Sequence, residues 1–236
     1  MKKIFGDSNG DVPRIALAVG DRDPYERLRG MPIDLLEVRV DLFANQKIQA
    51  IEETILKLKD LGVPIILTVR NDKAEGGLEG INDDKKFLIF HSFISLVDIV
   101  DIESRSPIID RVVNLARENE KNVIVSRHDL EKTPEPEELE AIFAAARLQG
   151  ADIVKIAALA RSMSDVVTML DFTIRHRKDN IITISMGPNG AISRLAFPAA
   201  GSMLTYTFHD KPAAMGQIPL GALVDDMRRY YPNFRK

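Results

Sequence analysis

Short apolar runs rich in β-branched residues alternate along this chain with longer segments whose apolar positions repeat every three to four residues. The first run is Arg14 to Val19, followed by polar Asp21 to Tyr25 and a short helix. The second is Ile33 to Val40, and a helix with Ile51, Ile55 and Leu58 on one face then runs from about Gln46 to Leu61. Gly62 stops it before a third strand, Pro64 to Val69. A glycine-rich loop, Asn71 to Gly80, leads into a helix over Asp83 to Ser95 and a fourth strand over Val97 to Glu103. Pro107 opens a helix reaching Asn119, and the fifth strand is Asn122 to Ser126. Thr133-Pro-Glu-Pro has the capping threonine, early prolines and acidic first turn of a helix start, and that helix ends near Gly150. Strand six, Asp152 to Ile156, is followed by a helix from Ser164 to Arg177. Strand seven is Asn180 to Ser185, strand eight is a weaker Met203 to Thr207, and Leu220 to Tyr231 is a closing helix.

Eight strands alternating with helices predict an α/β fold, a single-domain (β/α)8 TIM barrel over residues 1–236. The main alternative is a doubly wound open sheet. It is disfavoured by the strand count and by the absence of a Gly-x-Gly-x-x-Gly turn after the first strand.

Composition narrows the function classes. A formal net charge of −3 and the lack of a basic block give no case for nucleic acid or an anionic membrane surface. The absence of cysteine excludes disulfides and thiolate metal sites. The N-terminus lacks the apolar core of a signal peptide, and the longest apolar runs fall short of the roughly 20 residues that span a bilayer. The expectation is a soluble protein of a reducing cytoplasm, with no nucleic-acid or membrane partner.

In a barrel, chemistry sits at the C-terminal strand ends, and polar residues recur there. Lys155 lies inside an apolar strand, where burial disfavours the ammonium and a neutral amine attacks carbonyls; the alternative is a lysine that snorkels to solvent. Glu37, Arg39 and Asp41 share one face of strand two, as an ion-pair network or as a grip on a polar ligand. Asp101 and Glu103 share a face of strand four and are placed to orient a neighbouring cation. Arg70 ends strand three, and His128 follows strand five, next to the strand of Lys155, where it suits general acid/base work. His91, His176 and His209 are weaker candidates, and no spacing resembles a metal site. After strand seven, the Ser185 to Arg194 segment reads either as a phosphate cradle or, through Arg194, as a bidentate carboxylate grip. Lys211 to Ile218 reads as a loop over the mouth, with Gln217 in reach of a ligand, or as an ordinary connector.

Taken in order, Glu37-Val-Arg-Val-Asp41, Thr68-Val-Arg70 with Glu75-Gly-Gly77, Asp101-Ile-Glu103, Ser126-Arg-His-Asp129 with Thr133-Pro134, Val154-Lys-Ile156, Ser185-Met-Gly187 with Ser193-Arg194, Gly201-Ser202 and Gly216-Gln217 resemble type I 3-dehydroquinate dehydratases, over nearly the whole chain. The resemblance implies an enzyme of the shikimate pathway that dehydrates 3-dehydroquinate without cofactor or metal. It implies that Lys155 forms an imine with the substrate ketone and that His128 is the general acid/base. It further implies that Arg194 binds the carboxylate, that Glu37, Arg39 and Arg70 hold ring hydroxyls, that Gln217 closes the lid, and that the protein is a homodimer.

Three departures stand out. Arg70 and Glu75 are one residue further apart than in the family pattern, Ala213 stands where many members have a lid serine, and Met215 replaces a lid proline. A lost hydrogen bond of about 0.5–1.5 kcal/mol predicts weaker substrate binding with activity retained. Two rivals remain: a class I aldolase barrel, which would use Lys155 with a phosphate loop, and a non-catalytic binding barrel, which would not need both Lys155 and His128.

Overall fold

The structure, a computed structural model, describes residues 12–23, 25–77 and 80–235. The segment before Val12, Pro24 of the first polar stretch, Leu78 and Glu79 of the loop after the third strand, and Lys236 lie outside the described residues. The elements in order are β1 (Ile15–Val19), α1 (Tyr25–Leu28), β2 (Leu35–Arg39), α2 (Ile48–Lys59), β3 (Ile65–Thr68), α3 (Asp83–Phe93), β4 (Ile99–Glu103), α4 (Ile109–Glu118), β5 (Asn122–Asp129), α5 (Pro136–Leu148), β6 (Ile153–Leu159), α6 (Met163–Arg175), β7 (Ile181–Met186), α7 (Gly187–Gly190), α8 (Ser193–Ala200), β8 (Thr205–Thr207) and α9 (Leu220–Tyr230). Among the described residues no helix is long and apolar enough to cross a membrane.

Every strand pair is parallel, in the order β7-β6-β5-β4-β3-β2-β1-β8, so the sheet curls almost onto itself as a (β/α)8 barrel. The remaining seam between β7 and β8 is stitched by the Met203 N–H to the Ile181 carbonyl (2.8 Å) and by Ser202. The Ser202 hydroxyl accepts from the Thr183 N–H (3.1 Å) and reaches the Leu204 carbonyl (3.2 Å).

Two apolar cores follow from strands buried on both faces. One fills the layer between strands and helices, with Leu36, Val38, Val100, Val125 and Val154 from the sheet. The other fills the barrel interior with Leu35, Ile66, Ile99, Ile124, Ile153, Ile182 and Leu204. Because side chains alternate along a strand, the residues two positions on form the next interior layer. They are Glu37, Thr68, Asp101, Ser126, Lys155, Ile184 and Tyr206. An apolar plug therefore supports a mostly polar floor, and the chemistry faces the C-terminal mouth.

Most boundaries shift by one or two residues from the sequence expectation, and three of the differences bear on the site. β5 runs on through His128 to Asp129, and β6 to Leu159, because the two strands keep pairing as far as Asp129 opposite Ala158. His128 is thus a strand residue with a fixed backbone. α5 starts at Pro136 and not at Thr133, since each proline keeps the residue before it out of helical geometry. Thr133 does not cap that helix; its hydroxyl donates to the Leu159 carbonyl (3.0 Å).

Candidate active site

The interior layers place Lys155 between two acids. Its Nζ donates to Asp101 Oδ2 (2.9 Å) and Glu37 Oε1 (3.2 Å), and it lies 4.3 Å from the centre of the Tyr206 ring. Glu37 also accepts from the Thr68 hydroxyl (3.1 Å). Asp101 is the hub, taking Ser126 Oγ (2.7 Å) and Arg70 Nη2 (3.0 Å) besides the lysine.

These contacts overturn one expectation. Burial does push the Lys155 amine down, as a lysine in an apolar strand should show, but Asp101 and Glu37 more than offset it and hold the amine above its ordinary value. The resting side chain is an ammonium. The carboxyl of Asp101 is held well below the usual range: burial raises it, and the Lys155 and Arg70 charges outweigh that.

His128 faces this group with a different electrostatic history. Its ring is pushed well below the ordinary histidine value by burial first, then by the Arg70 and Lys155 charges, so it is neutral at physiological pH. Glu75 fixes it: Oε2 accepts the His128 backbone N–H (3.0 Å) and lies 3.2 Å from Nδ1. With Glu75 ionised, Nδ1 is the donor and Nε2 carries the lone pair. Burial raises the Glu75 carboxyl to about 7, against the opposing pull of Arg70 and the His128 N–H. The longer Arg70–Glu75 spacing is absorbed by a 3-10 turn over Lys73–Glu75. Asp72 caps this turn by accepting the Ala74 N–H, and Glu75 ends up buried against His128.

Arg39 is engaged bidentately by Asp41 (3.0 and 2.7 Å), which turns at the end of β2. Behind Arg70, the buried Lys86 pairs with Glu103 (2.5 Å) and with Asn71 Oδ1 (2.9 Å). Arg194 is the exception among these cations. At the second position of α8 and 2% exposed, it has no ion pair among the described residues, and its Nε lacks a hydrogen-bond partner. Burial lowers it to about 10, so it stays charged at neutral pH.

Glu37, Arg39, Arg70, His128, Lys155, Arg194 and Gln217 all line one pocket, open to solvent, with about 360 Å³ of empty space, together with Tyr206, Met186 and Ala214. Gln217 Oε1 accepts the Ala213 and Ala214 N–H groups (2.7 and 3.1 Å), which ties the loop into a tight turn and leaves the amide nitrogen for a ligand. That loop docks through Gly216 (φ +75°), where a Cβ would stand 2.5 Å from the Gly187 carbonyl oxygen. The Gly187 N–H is taken by the Met215 carbonyl (3.4 Å), so the glycine turn after β7 is closed by the loop and does not present a phosphate cradle. Among the described residues no group of three or more histidines and acids is placed to hold a metal.

Sequence reasoning had not assigned Asp101, Glu75 or Tyr206 to the site. Asp101 was visible only as an acid placed to orient a lysine or arginine from a neighbouring strand, as it does for Lys155 and Arg70, and Tyr206 was hidden in the weakest strand.

The comparisons agree with this geometry. A family model described as type I 3-dehydroquinase matches residues 19–231. The curated 3-dehydroquinate dehydratase of Thermodesulfovibrio yellowstonii is 36% identical over 219 residues, covering 91% of this chain and 94% of that one. Solved 3-dehydroquinate dehydratases include that of Aquifex aeolicus VF5 (31% identity, TM-score 0.81, covering 92% of this chain and 99% of the other). The type I enzyme of Clostridium difficile, solved with covalent modified comenic acid, is 30% identical with TM-score 0.84, covering 95% of this chain and 94% of the other. Matches of this length and identity, over strands that carry the whole pocket, place the chain in the type I 3-dehydroquinase family.

Proposed function

We propose that this chain removes water from 3-dehydroquinate through an imine on Lys155, with His128 as the general acid/base. The ammonium must first lose a proton, and the neutral ring of His128 is the base in the pocket able to take it. The amine then adds to the ring ketone, His128 returns the proton to the carbinolamine oxygen, which leaves as water, and the protonated imine carries the positive charge that the ammonium carried. Asp101 and Glu37, which favour the ammonium, favour the iminium equally, because charge and place are the same. This electron sink acidifies the C2 hydrogen; His128 removes it and delivers the proton to the departing C1 hydroxyl. Hydrolysis of the imine consumes one water and frees the product and Lys155, so one water is lost overall. Arg194 takes the carboxylate, Glu37, Arg39 and Arg70 meet the ring hydroxyls, and Gln217 closes over the substrate. The place of the reaction is the shikimate pathway, and we take the enzyme to be a cytoplasmic homodimer.

The observation that carries this reading is the pairing of one lysine with two carboxylates in a pocket that also holds a neutral histidine and an unpartnered arginine. The C. difficile relative was solved with covalent modified comenic acid, which is in keeping with covalent chemistry in this family. The test is borohydride reduction in the presence of 3-dehydroquinate, followed by mass spectrometry. A reduced adduct on Lys155 is expected, and its absence would sink the mechanism. His128→Ala should still form the adduct slowly while losing dehydration; normal turnover by that variant would refute the acid/base role.

A further inference from the structure

Tyr206 projects from β8 into the barrel and is 3% exposed. Among the described residues no group accepts the proton of its hydroxyl, toward which Lys155 can only donate, although burying a phenolic O–H without an acceptor is costly. Phenylalanine would fill the same volume without that cost. The neighbouring groups do not explain the hydroxyl. Lys155 lies over the ring face at 4.3 Å, and both Lys155 and Arg194 are donors only, so neither can receive the phenolic proton. The nearby carboxylates of Glu37 and Asp101 are turned to Lys155, Thr68, Ser126 and Arg70.

Close enough to interact with the phenol electrostatically is a second donor lacking an acceptor, Arg194 Nε. The two are held in one wall of the pocket: the Thr205 hydroxyl, one residue before Tyr206, donates to the Arg194 carbonyl (2.8 Å) and pins the start of α8 to β8. Both side chains line the cavity that holds Lys155. Two buried donors that line one cavity are complementary to an anionic acceptor with two oxygens.

We propose that the Tyr206 hydroxyl is the second arm of the carboxylate grip, donating to the same substrate carboxylate that Arg194 binds and so setting the position of the ring over Lys155. The inference rests on the imine reading of the site. It makes Tyr206 a substrate-binding residue whose hydroxyl discriminates ring ketones that bear a carboxylate from those that do not.

The test compares the wild-type chain with Tyr206→Phe on two ketones, 3-dehydroquinate and carboxylate-free 3,4-dihydroxycyclohexanone. Losing a hydrogen bond to a charged group should raise KM for 3-dehydroquinate by about tenfold, with kcat changed by less than about threefold. The concentration of 3,4-dihydroxycyclohexanone that half-saturates borohydride trapping on Lys155 should stay within about twofold, because that ketone offers the phenol no carboxylate. The variant's Tm should be equal or higher, since an unpaired buried hydroxyl has been removed. An unchanged KM for 3-dehydroquinate, or an equal loss for both ketones, would overturn the proposal. A wild-type chain that neither turns over nor traps 3-dehydroquinate would instead refute the imine reading, and the carboxylate grip would fall with it.

Discussion

Asp101→Asn is the most informative perturbation, because it separates what the buried charges do for stability from what they do for Lys155. The wild-type carboxylate accepts two charge-assisted hydrogen bonds, from Lys155 (2.9 Å) and Arg70 (3.0 Å), and one from Ser126 (2.7 Å). Asparagine keeps one acceptor and turns an NH2 toward donors. Loss of a partner in a buried pair costs about 3–5 kcal/mol, and neither side chain here is exposed enough to be screened. Lys155→Met should cost less, about 1–2 kcal/mol, because Asp101 keeps Arg70 and Ser126 while Glu37 keeps Thr68. The double variant should then cost less than the sum of the two, by about 1–3 kcal/mol.

Urea midpoints measure all three variants. Lys155 is raised, so its contribution is present below the unfolded lysine value and is lost only above it. Asp101 is depressed, so its contribution is present above the unfolded aspartate value and is lost as pH falls toward its folded one. The gap between wild type and Asp101→Asn should therefore be flat from about pH 5 to 9. In the same variant, burial of Lys155 is opposed mainly by Glu37, so the amine titrates lower. The pH midpoint of borohydride trapping should fall by about one to two units. Additive stability losses, or an unmoved trapping midpoint, would refute the claim that Asp101 sets the charge on Lys155.

Glu75→Gln should lower kcat by about 10²-fold through a misaligned His128. With Glu75 raised to about 7, wild-type activity should have an acid limb near pH 7, because only the ionised carboxylate accepts both His128 N–H groups; that limb should vanish in the variant's pH–rate profile. The stability sign is opposite: a raised carboxyl stabilises while protonated, and that contribution is lost as pH rises through about 7, so Glu75→Gln should gain in Tm relative to wild type between pH 5 and 8. Gly216→Ala puts a Cβ 2.5 Å from the Gly187 oxygen at a left-handed φ, so the Gln217 loop should undock and KM for 3-dehydroquinate rise with little change in urea midpoint. An unchanged KM would show that the loop is not held there.

The barrel was legible because each parallel strand is buried on both faces, so eight apolar runs stand out against the helical periodicity. The Glu37/Arg39 row was legible from its period of two. What escaped depends on partners far along the chain. The sign of the shift at Lys155 was misjudged because burial is a local property, whereas the opposing charges come from β2 and β4, 118 and 54 residues away. His128 seemed to follow a strand because nothing local signals that β6 keeps pairing to Ala158. Glu75 looked displaced because an added loop residue is visible in sequence and the 3-10 turn that absorbs it is not. Tyr206 was missed because an aromatic residue in an apolar strand is ordinary; only its unpaired hydroxyl distinguishes it.

The buried charges also argue for what the pocket receives. Among the described residues they are, with Glu75 ionised, six cations (Arg39, Arg70, Lys86, Arg127, Lys155 and Arg194) and five carboxylates (Glu37, Asp41, Glu75, Asp101 and Glu103). Arg39 pairs with Asp41, Lys86 with Glu103, Arg127 with Glu75, Arg70 with Asp101, and Lys155 with Glu37 and Asp101. The cation left over is Arg194. A buried guanidinium without a counter-charge is unfavourable, and a ligand bearing one carboxylate relieves it. In the mechanism we propose, the iminium would conserve the charge of the ammonium, and that balance would persist after Lys155 had reacted. The excess positive charge therefore favours a monoanion at binding, and on the proposed mechanism Asp101 and Glu37 would go on stabilising the imine without a charge left uncompensated in the barrel.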